Sequence, residues 1–391
     1  MTTIDLVYFD AGGGHRAAAL ALQAAIREQD RPWHVRLVHL VHALDPSKRF
    51  ERVTGHEPEH LYNWRLRRGW TLGLRSELRV LQGLIRLGHP WLLQALCRHW
   101  SRCDPPDLVV SLVPNFNLAL RESVATVLPG VPFVTVMTDL ADLPPRFWIE
   151  PTVDQHIVCG TERAAAQALD AGCRADRIHR TSGMLIRPEF YRPRRADRGA
   201  ERLALGLDPD RPTGIVMFGG QGSAQMTRIA RGLPDWQLIL LCGRDETLAA
   251  RLRALRRDAP HAVLGFTSDV RRYMDLADFF IGKPGPGALS EALHCGLPVL
   301  TFRNAWTMPQ ERYNAQWVIE QGVGLVVDST RTLAPAVHAL LADLERYRAG
   351  TRRLRNRAVF EIPALLQRLL AARPLPASDA RDTREPVEAA P

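Results

Sequence analysis

Short apolar runs alternate with helix-like segments along nearly the whole chain, and this alternation limits the fold more than any other feature. Such runs, bounded by glycine, proline and polar residues, are typical of buried strands. They cover residues 4–9, 34–40, 107–112, 132–137, 155–159, 213–218, 237–241, 278–281, 297–302 and 324–327. The clearest helical patterns cover residues 15–29, 74–98 (interrupted at Gly88-His89-Pro90) and 161–171. Strands alternating with helices predict doubly wound parallel sheets, and hence an α/β fold.

The 391 residues are enough for two such domains. The charged, proline-rich segment 187–212 separates the two series of strands and is typical of a linker followed by a short helix. We therefore predict an N-terminal domain over residues 1–188, a linker over 189–212 and a C-terminal domain over 213–372. Residues 373–391 have no apolar face and are predicted to be disordered. Two doubly wound domains leave a cleft between them, where ligands bind at the carboxyl ends of the strands.

The composition narrows the class of protein. No apolar stretch reaches the roughly 18 residues of a membrane-spanning helix, and the first residues lack the pattern of a secretory signal. The six cysteines are scattered, without the paired spacing of a zinc site or a disulfide framework. We therefore expect a protein of the reducing cytoplasm.

The positive charge is unevenly placed. The net charge is +9, and Lys48 and Lys283 are the only lysines, so arginine supplies nearly all of it. Residues 61–102 contain eight arginines against one acid, together with four of the nine tryptophans. An amphipathic core helix explains this pattern, and so does a helix on an anionic membrane surface. The candidate surface residues are Trp64, Arg65, Arg67, Arg68 and Trp70. No nucleic-acid motif accompanies the charge, so we expect no nucleic-acid partner.

Glycine-rich turns between a strand and a helix are the first candidates for binding. Gly12, Gly13 and Gly14 precede His15 at the start of a predicted helix, whose free N–H groups favour an anion or polar group. A plain tight turn with a surface histidine explains this spacing equally well. In the second half, "FGGQGSAQ" (218–225) follows a strand and can cradle a diphosphate, although it lacks the ending of a P-loop.

Two further loops of the second half carry polar side chains. In "ADFFIGKPGPGALSEALHCGLPVLTF" (277–302), Glu291 is predicted in the first turn of a helix that starts near Ala288. Its carboxylate can accept two hydroxyl hydrogen bonds, as a ribose diol would offer, or it can serve as a helix cap. Gln310, Glu311 and Asn314 precede or open the next helix and are either hydroxyl ligands or ordinary caps.

The ordered set of these motifs resembles the family 28 glycosyltransferases, of GT-B architecture. It consists of "GGGHRAAA", "GGQGS", "GKPGPGALSEALHCGLPVL" and "PQERYNA", and the order and spacing agree over roughly residues 4–330. The segments 135–172 and 182–190 resemble the central N-domain segment and the hinge of the monogalactosyldiacylglycerol synthases and processive diacylglycerol glucosyltransferases. A more distant similarity is to the peptidoglycan enzyme that adds N-acetylglucosamine to a lipid-linked acceptor.

The resemblance implies an inverting transferase. A UDP-sugar would occupy the C-terminal domain, and a lipid or lipid-linked acceptor would meet the N-terminal domain at the inner face of the plasma membrane. It implies no metal and no other cofactor. Asp208-Pro209-Asp210, in the linker, is interpreted as surface.

Site residues follow from the same resemblance. His15, with an expected pKa of about 6.5, is the candidate general base. Asp139 is the other candidate, either as the base or as the group that orients the imidazole. Gly12, Gly13 and Gly14 form the acceptor-side loop. The donor-binding residues are Gly219, Gly220, Gln221, Gly222, Ser223, Phe266, Gly285, Gly287, Glu291, Gln310, Glu311 and Asn314.

One departure from the family pattern concerns the acceptor. The lipid galactosyltransferases usually have a histidine after the Thr-Asp-Leu stretch, where this chain has Leu143-Pro144-Pro145-Arg146. Two other functions fit a chain of this kind: a nucleotide-sugar 2-epimerase of the same fold, and a non-catalytic subunit that binds a nucleotide sugar. The basic, tryptophan-rich segment argues against the first, and the presence of His15 argues against the second.

Overall fold

The chain folds around two parallel sheets. The computed structural model describes residues 1–10, 13–48, 52, 74–193 and 197–372, and each sheet contains six strands within these ranges. The first sheet contains β1 (Thr2–Tyr8), β2 (Trp33–His39), β3 (Leu108–Ser111), β4 (Phe133–Val136), β5 (His156–Cys159) and β6 (Ile178–Arg180). All neighbours are parallel in the order β2-β1-β3-β4-β5-β6.

The second sheet has the order β12-β11-β10-β7-β8-β9, and its neighbours are also all parallel. Its strands are β7 (Thr213–Met217), β8 (Gln237–Leu241), β9 (His261–Leu264), β10 (Phe279–Gly282), β11 (Val299–Phe302) and β12 (Gly324–Val327). Every residue of β7, β8, β10 and β11 is buried. Continuous burial of this kind is typical of strands covered by helices on both faces.

The helices lie between these strands. The N-terminal half contains α1 (Gly14–Glu28), α2 (Leu40–Leu44), α3 (Leu74–Leu87), α4 (His89–Trp100), α5 (Asn117–Val127) and α6 (Glu162–Asp170). The linker contains α7 (Arg198–Ala204). The C-terminal half contains α8 (Gln225–Gly232), α9 (Glu246–Arg253), α10 (Val270–Asp275), α11 (Pro286–His294), α12 (Arg312–Glu320), α13 (Leu333–Ala342), α14 (Leu344–Arg353) and α15 (Ala358–Ala371). In the described ranges, no helix is both long and apolar enough to cross a bilayer.

The predicted fold class is confirmed, and a strand lies at each of the ten predicted places. Two further strands, β6 and β9, lie where the sequence pattern predicts none. Both are short strands at a sheet edge, and β6 reads Ile-His-Arg. Edge strands of three or four residues carry too few apolar positions to stand out from a loop.

The last helix, α15, packs on the N-terminal domain, although the predicted C-terminal domain over residues 213–372 includes it. Val359, Ile362 and Leu366 of α15 belong to the same buried cluster as Ile4 and Leu22 of the N-terminal domain. The chain therefore returns to its first domain after α14. Hydrophobic periodicity identifies a buried face, but it does not tell which domain buries that face.

The predicted linker docks on the C-terminal domain. Its helix α7 presents Arg202, which is 3% exposed and donates to Oδ2 of Asp278 at 2.7 Å. Arg198 and Arg348 donate to Oδ1 of the same carboxylate at 2.8 and 3.0 Å. Arg198 and Arg202 therefore keep α7 against the start of β10, which Asp278 directly precedes, and Arg348 of α14 binds the same carboxylate.

The basic segment 61–102 is described only from residue 74 onward. Gly12, residues 61–73 with all five candidate membrane residues, and the tail 373–391 lie outside the described residues. Trp100 is 2% exposed and donates to Oγ of Ser123, so this tryptophan belongs to the core. Trp91, by contrast, is 55% exposed. The described part of the segment therefore contains one core tryptophan and one exposed tryptophan, and the membrane interpretation stays a prediction.

Candidate active site

The strand order places the donor-side pocket. β7 and β10 are neighbours although two strands separate them along the chain, so the connections diverge at this point and leave a crevice beyond the carboxyl ends. The loops after these two strands line a pocket, together with the loop after β11. Its lining residues are Phe218, Gly219, Gly220, Gln221, Gly222, Ser223, Gln225, Lys283, Pro284, Phe302, Asn304, Trp306, Thr307, Met308 and Glu311.

The glycine loop after β7 exposes its backbone to this pocket. Gly219 and Gly222 have φ of 78° and 67°, a left-handed conformation that favours glycine. A side chain at Gly222 would lie 2.6 Å from the carbonyl oxygen of Cys242, whereas one at Gly219 or Gly220 would meet open space. No group in the described part of the chain accepts a hydrogen bond from the N–H of Gly220 or Gln221. Free N–H groups beside open space are suited to phosphate oxygens.

The pocket also contains an ion pair between Lys283 and Glu311, of which only Glu311 is among the predicted donor-binding residues. Nζ of Lys283 lies 2.9 Å from Oε1 of Glu311, which is 6% exposed. The motif "GKPGPG" predicts a glycine turn, and this pattern does not single out its lysine. The signal that could have found it is the scarcity of lysine in this chain.

Beside this ion pair, the segment after β11 supplies two amide side chains whose oxygens are buried. Nδ2 of Asn314, a fully buried residue, donates to the carbonyl oxygen of Pro284 at 2.7 Å, which joins the start of α12 to the loop after β10. Oε1 of Gln310 and Oδ1 of Asn314 are buried without a hydrogen-bond partner among the described residues. Buried acceptors of this kind carry a desolvation cost that a hydroxyl donor would relieve.

Glu291 lies in the second turn of α11, not in the predicted first turn, because the helix begins at Pro286. Its pKa is raised to about 7, chiefly by burial, while the cation of Arg187 opposes the shift. Nε of Arg187 lies 3.7 Å from Oε1 of Glu291, too far for a hydrogen bond. Arg187 also donates to the carbonyl oxygen of Ser268 at 2.7 Å. One arginine therefore joins Glu291 to the loop that carries Phe266.

Three other predicted donor residues lie near the pocket but outside its lining. Phe266 is 59% exposed, and the guanidinium of Arg244 lies over its ring at 4.9 Å. Gly285 is the N-cap of α11, and a side chain at Gly287 in the first turn would meet open space. The structure thus brings the glycine loop and Glu311 together around one pocket, and Arg187 links Glu291 to the loop of Phe266 outside its lining.

On the other side of the cleft, the strand order of the first sheet brings His15 to the carboxyl ends of β1 and β3. Its Nδ1 lies 3.0 Å from Oγ1 of Thr138, and the ring is hydrogen-bonded to the backbone carbonyl of Leu112. It stacks on Phe9 at 4.6 Å. Burial lowers the pKa of His15 to about 4, well below the expected value of about 6.5. The imidazole is therefore neutral at neutral pH.

Asp139 follows β4 and is 6% exposed. Burial raises its pKa to about 7, and a hydrogen bond from Trp148 opposes the shift. Glu311 raises this pKa further and Lys283 lowers it, so charges of the donor-side pocket reach Asp139 across the cleft. The structure does not support Asp139 as the group that orients the imidazole. Among the described residues, the side chain of Thr138 contacts His15, and Asp139 accepts from Trp148 instead.

The loop with Leu143-Pro144-Pro145-Arg146, which departs from the family pattern, leads to Trp148, the hydrogen-bond donor to Asp139. Asp142 accepts hydrogen bonds from the backbone N–H groups of Arg146 and Trp148, at 2.8 and 2.6 Å. Trp148 is fully buried in this loop.

The other predicted residues lie elsewhere. Gly13, at φ 77°, and Gly14 lie at the N-terminus of α1, and a side chain at either would meet open space. In the linker, Asp208 and Asp210 are exposed.

The C-terminal domain matches a known family model. Residues 215–361 match the sequence model described as the glycosyltransferase family 28 C-terminal domain. Residues 215–361 therefore form a glycosyltransferase family 28 C-terminal domain. Over 384 residues the chain is 29% identical to a probable chloroplastic monogalactosyldiacylglycerol synthase 2 of rice, and the match covers 90% of this chain and 77% of the rice protein.

Solved structures agree with this glycosyltransferase in fold. MurG of Acinetobacter baumannii superimposes with a TM-score of 0.58 at 14% identity, and the match covers 94% of this chain and 100% of MurG. Anabaena HepE in complex with UDP superimposes with a TM-score of 0.53 at 15% identity, over 94% of this chain and 100% of HepE. The predicted GT-B architecture is confirmed. The pocket beyond β7 and β10 and the pair His15 and Asp139 therefore face each other in a glycosyltransferase cleft.

Proposed function

We propose that this glycosyltransferase moves a hexose or an N-acetylhexosamine from a UDP-sugar to a lipid or lipid-linked acceptor, with inversion at the anomeric carbon, at an anionic membrane surface. The observation that carries this proposal is the electrostatic coupling across the cleft. A buried carboxylate with a pKa of about 7, Asp139, responds to the charges of Lys283 and Glu311 in the opposite domain. A base and a leaving-group site that face each other suit a single displacement.

The donor site is the pocket beyond β7 and β10. The free N–H groups of Gly220 and Gln221 would receive the diphosphate. Glu291, in its ionised form, would accept hydrogen bonds from the two ribose hydroxyls. The relatives support UDP as the nucleotide: HepE has been solved with UDP and with UDP-glucose.

Asp139 is the better-placed general base. A base is most effective when its pKa lies near the working pH, and burial puts Asp139 there. His15, with a pKa of about 4, is too weak a base for that task at neutral pH. Its neutral ring, which is hydrogen-bonded to Thr138 and Leu112, would instead line the acceptor side of the cleft.

In the transfer step, the acceptor hydroxyl oxygen attacks the anomeric carbon. The bond between that carbon and the β-phosphate oxygen breaks, and its electron pair leaves with UDP. The hydroxyl proton passes to Asp139. Attack from the N-terminal side and departure towards the C-terminal side invert the configuration.

An exposed apolar stripe supports the membrane part of the proposal. Val80, Leu84 and Leu87 of α3 are 61%, 59% and 81% exposed, and their spacing of four and three residues places them on one helix face. Trp91, in the first turn of α4, continues the apolar surface. Arg79 and Arg86 are exposed on the same helix. Apolar residues flanked by arginines are typical of a helix that lies in an anionic interface. The rice relative, by its name, makes a diacylglycerol lipid.

A donor screen tests the proposal. The purified protein is incubated with radiolabelled UDP-glucose, UDP-galactose or UDP-N-acetylglucosamine and a total lipid extract. We expect one donor to label an organic-soluble product, whose mass identifies the acceptor and whose proton coupling constants give the anomeric configuration. Asp139→Asn is the matched control.

Two outcomes would contradict the proposal. An epimerised nucleotide sugar without labelled lipid would support the alternative epimerase. Retention of the donor's anomeric configuration in the product would exclude the single displacement.

A further inference from the structure

Lys283 is an unusual choice of cation for this chain. Of the 51 lysines and arginines, only Lys48 and Lys283 are lysines. Arginine spreads its charge over a planar fork, whereas the lysine ammonium is a compact point charge on a flexible stem. Lys283 lines the pocket together with the glycine loop that would receive the diphosphate.

The local backbone holds this side chain at the mouth of the pocket. The N–H of Gly285 donates to the carbonyl oxygen of Lys283 at 2.8 Å, which closes a tight turn. A side chain at Gly285 would begin 3.4 Å from Cε of Lys283 and 3.6 Å from Oε1 of Glu311. Lys283 therefore folds over Gly285 to reach Glu311. The side chain of Lys283 is 35% exposed and that of Glu311 is 8% exposed, so the ammonium lies on the open side of the pair.

We propose that Lys283 is a catalytic residue that neutralises the leaving diphosphate, and that Glu311 is the positioning residue that holds its ammonium in the donor pocket. This inference rests on the proposed function. When the bond to the anomeric carbon breaks, negative charge builds up on the β-phosphate oxygen. The ammonium of Lys283 donates a hydrogen bond to that oxygen. A fixed cation where charge develops lowers the barrier without any proton transfer of its own.

The same pair acts on the base. Burial is the main cause of the raised pKa of Asp139, and beyond it Glu311 raises that pKa while Lys283 lowers it. Removing the ammonium therefore raises the pKa of Asp139, and removing the carboxylate lowers it. Loss of packing alone would not produce two shifts of opposite sign.

Calorimetry with two ligands tests the inference. UDP and uridine differ by the diphosphate, so Lys283→Gln should weaken UDP binding by about 10–100-fold and leave uridine binding unchanged. Lys283→Arg keeps the charge and should bind UDP within about tenfold of the wild type. Lys48→Gln, the same substitution at the other lysine, should change neither affinity.

The pH dependence of kcat/KM gives the second readout. Lys283→Gln should shift the acidic limb to higher pH, and Glu311→Gln should shift it to lower pH. Equal losses of UDP and uridine affinity, or shifts of the same sign, would overturn the inference. If the wild type itself fails to bind UDP, the proposed donor is wrong. If the wild type binds UDP and Lys283→Gln binds it equally well, only the role of Lys283 is wrong.

Discussion

The indole Nε1 of Trp148 donates a hydrogen bond of 2.9 Å to Oδ2 of Asp139. Both side chains are buried, and Oδ1 of Asp139 has no hydrogen-bond partner in the described part of the chain. The ring of Trp148 also lies 5.8 Å from that of His15. The tryptophan therefore fixes one carboxylate oxygen, leaves the other for a substrate and forms one wall beside the imidazole.

The first prediction concerns the pH dependence of catalysis. Because burial raises the pKa of Asp139 to about 7, we expect kcat/KM to rise with pH through about 7 as this base loses its proton. Asp139→Asn should lower kcat by about 10²–10⁴-fold and remove that limb. The measurement is a series of initial rates at different pH values with the donor identified by the screen.

His15→Ala is the comparison for this prediction. Its pKa of about 4 lies below the range of the limb, so this variant should turn over more slowly and keep the limb. UDP affinity should not change in either variant. A limb that persists in Asp139→Asn and disappears in His15→Ala would assign the base to the histidine.

The second prediction concerns stability. Burial raises the pKa of Asp139 from 3.8 to about 7, so the folded state holds this proton more tightly than the unfolded state does. The cost of ionising the buried group is absent below the unfolded pKa, grows as pH rises and is complete above about pH 7. Asp139→Asn should therefore be more stable than the wild type by about 2–4 kcal/mol at about pH 8, with little difference at about pH 4. Thermal unfolding at the two pH values measures this, and an equal or lower Tm of the variant at the higher pH would contradict it.

The third prediction tests the ribose contact. If Glu291 accepts hydrogen bonds from the two ribose hydroxyls, the wild type should prefer UDP to 2′-deoxy-UDP by about tenfold or more. Glu291→Ala should bind UDP more weakly and lose that preference. Calorimetric titration with both nucleotides measures the difference. A preference that survives in Glu291→Ala would leave this carboxylate a structural role in α11.

The fourth prediction concerns metal ions. Backbone N–H groups of the glycine loop and the ammonium of Lys283 already offer positive charge to a diphosphate. UDP affinity should therefore be the same with a chelator as with added Mg²⁺. Calorimetry under both conditions measures it, and a loss of binding with the chelator would show that a cation completes the site.

The fifth prediction concerns the exposed stripe of α3. The protein should sediment with vesicles that contain phosphatidylglycerol and not with neutral vesicles, and the binding should weaken as salt shortens the screening length. Leu84→Glu with Leu87→Glu should abolish binding and leave UDP affinity intact. Leu203→Glu, at a leucine of α7 that is 62% exposed, is the matched control and should bind like the wild type. Indifference of the wild type to anionic vesicles at low salt would favour a soluble acceptor.

The sequence was sufficient to predict the alternation of strands and helices because buried parallel strands are continuously apolar. Val299–Phe302, for example, is buried at every position. It was also sufficient to select the glycine loop and Glu311, since loops that follow strands converge at one edge of a parallel sheet. It could not place α15 in the first domain, because an apolar helix face predicts burial but does not specify which domain buries it.

The shifted pKa values of His15 and Asp139 could not be predicted from the sequence. The pKa of His15 depends on burial against groups distant along the chain, such as Leu112, Thr138 and Trp148. The raised pKa of Asp139 likewise depends on the loop that buries it and on Lys283 and Glu311 of the other domain. Spacing along a chain carries no information on such distances.

The return of α15 to the first domain has a mechanical consequence. The two segments that cross between the domains lie side by side: Nδ2 of Asn356 donates to the carbonyl oxygen of Met184 at 2.8 Å, and the N–H of Arg357 donates to Oγ of Ser182 at 2.7 Å. A side chain at Gly183 would lie 2.7 Å from Cγ of Asn356. The chain therefore crosses between the domains twice, and hydrogen bonds join the two crossing segments. A single backbone cleavage in either segment would leave the domains covalently connected through the other.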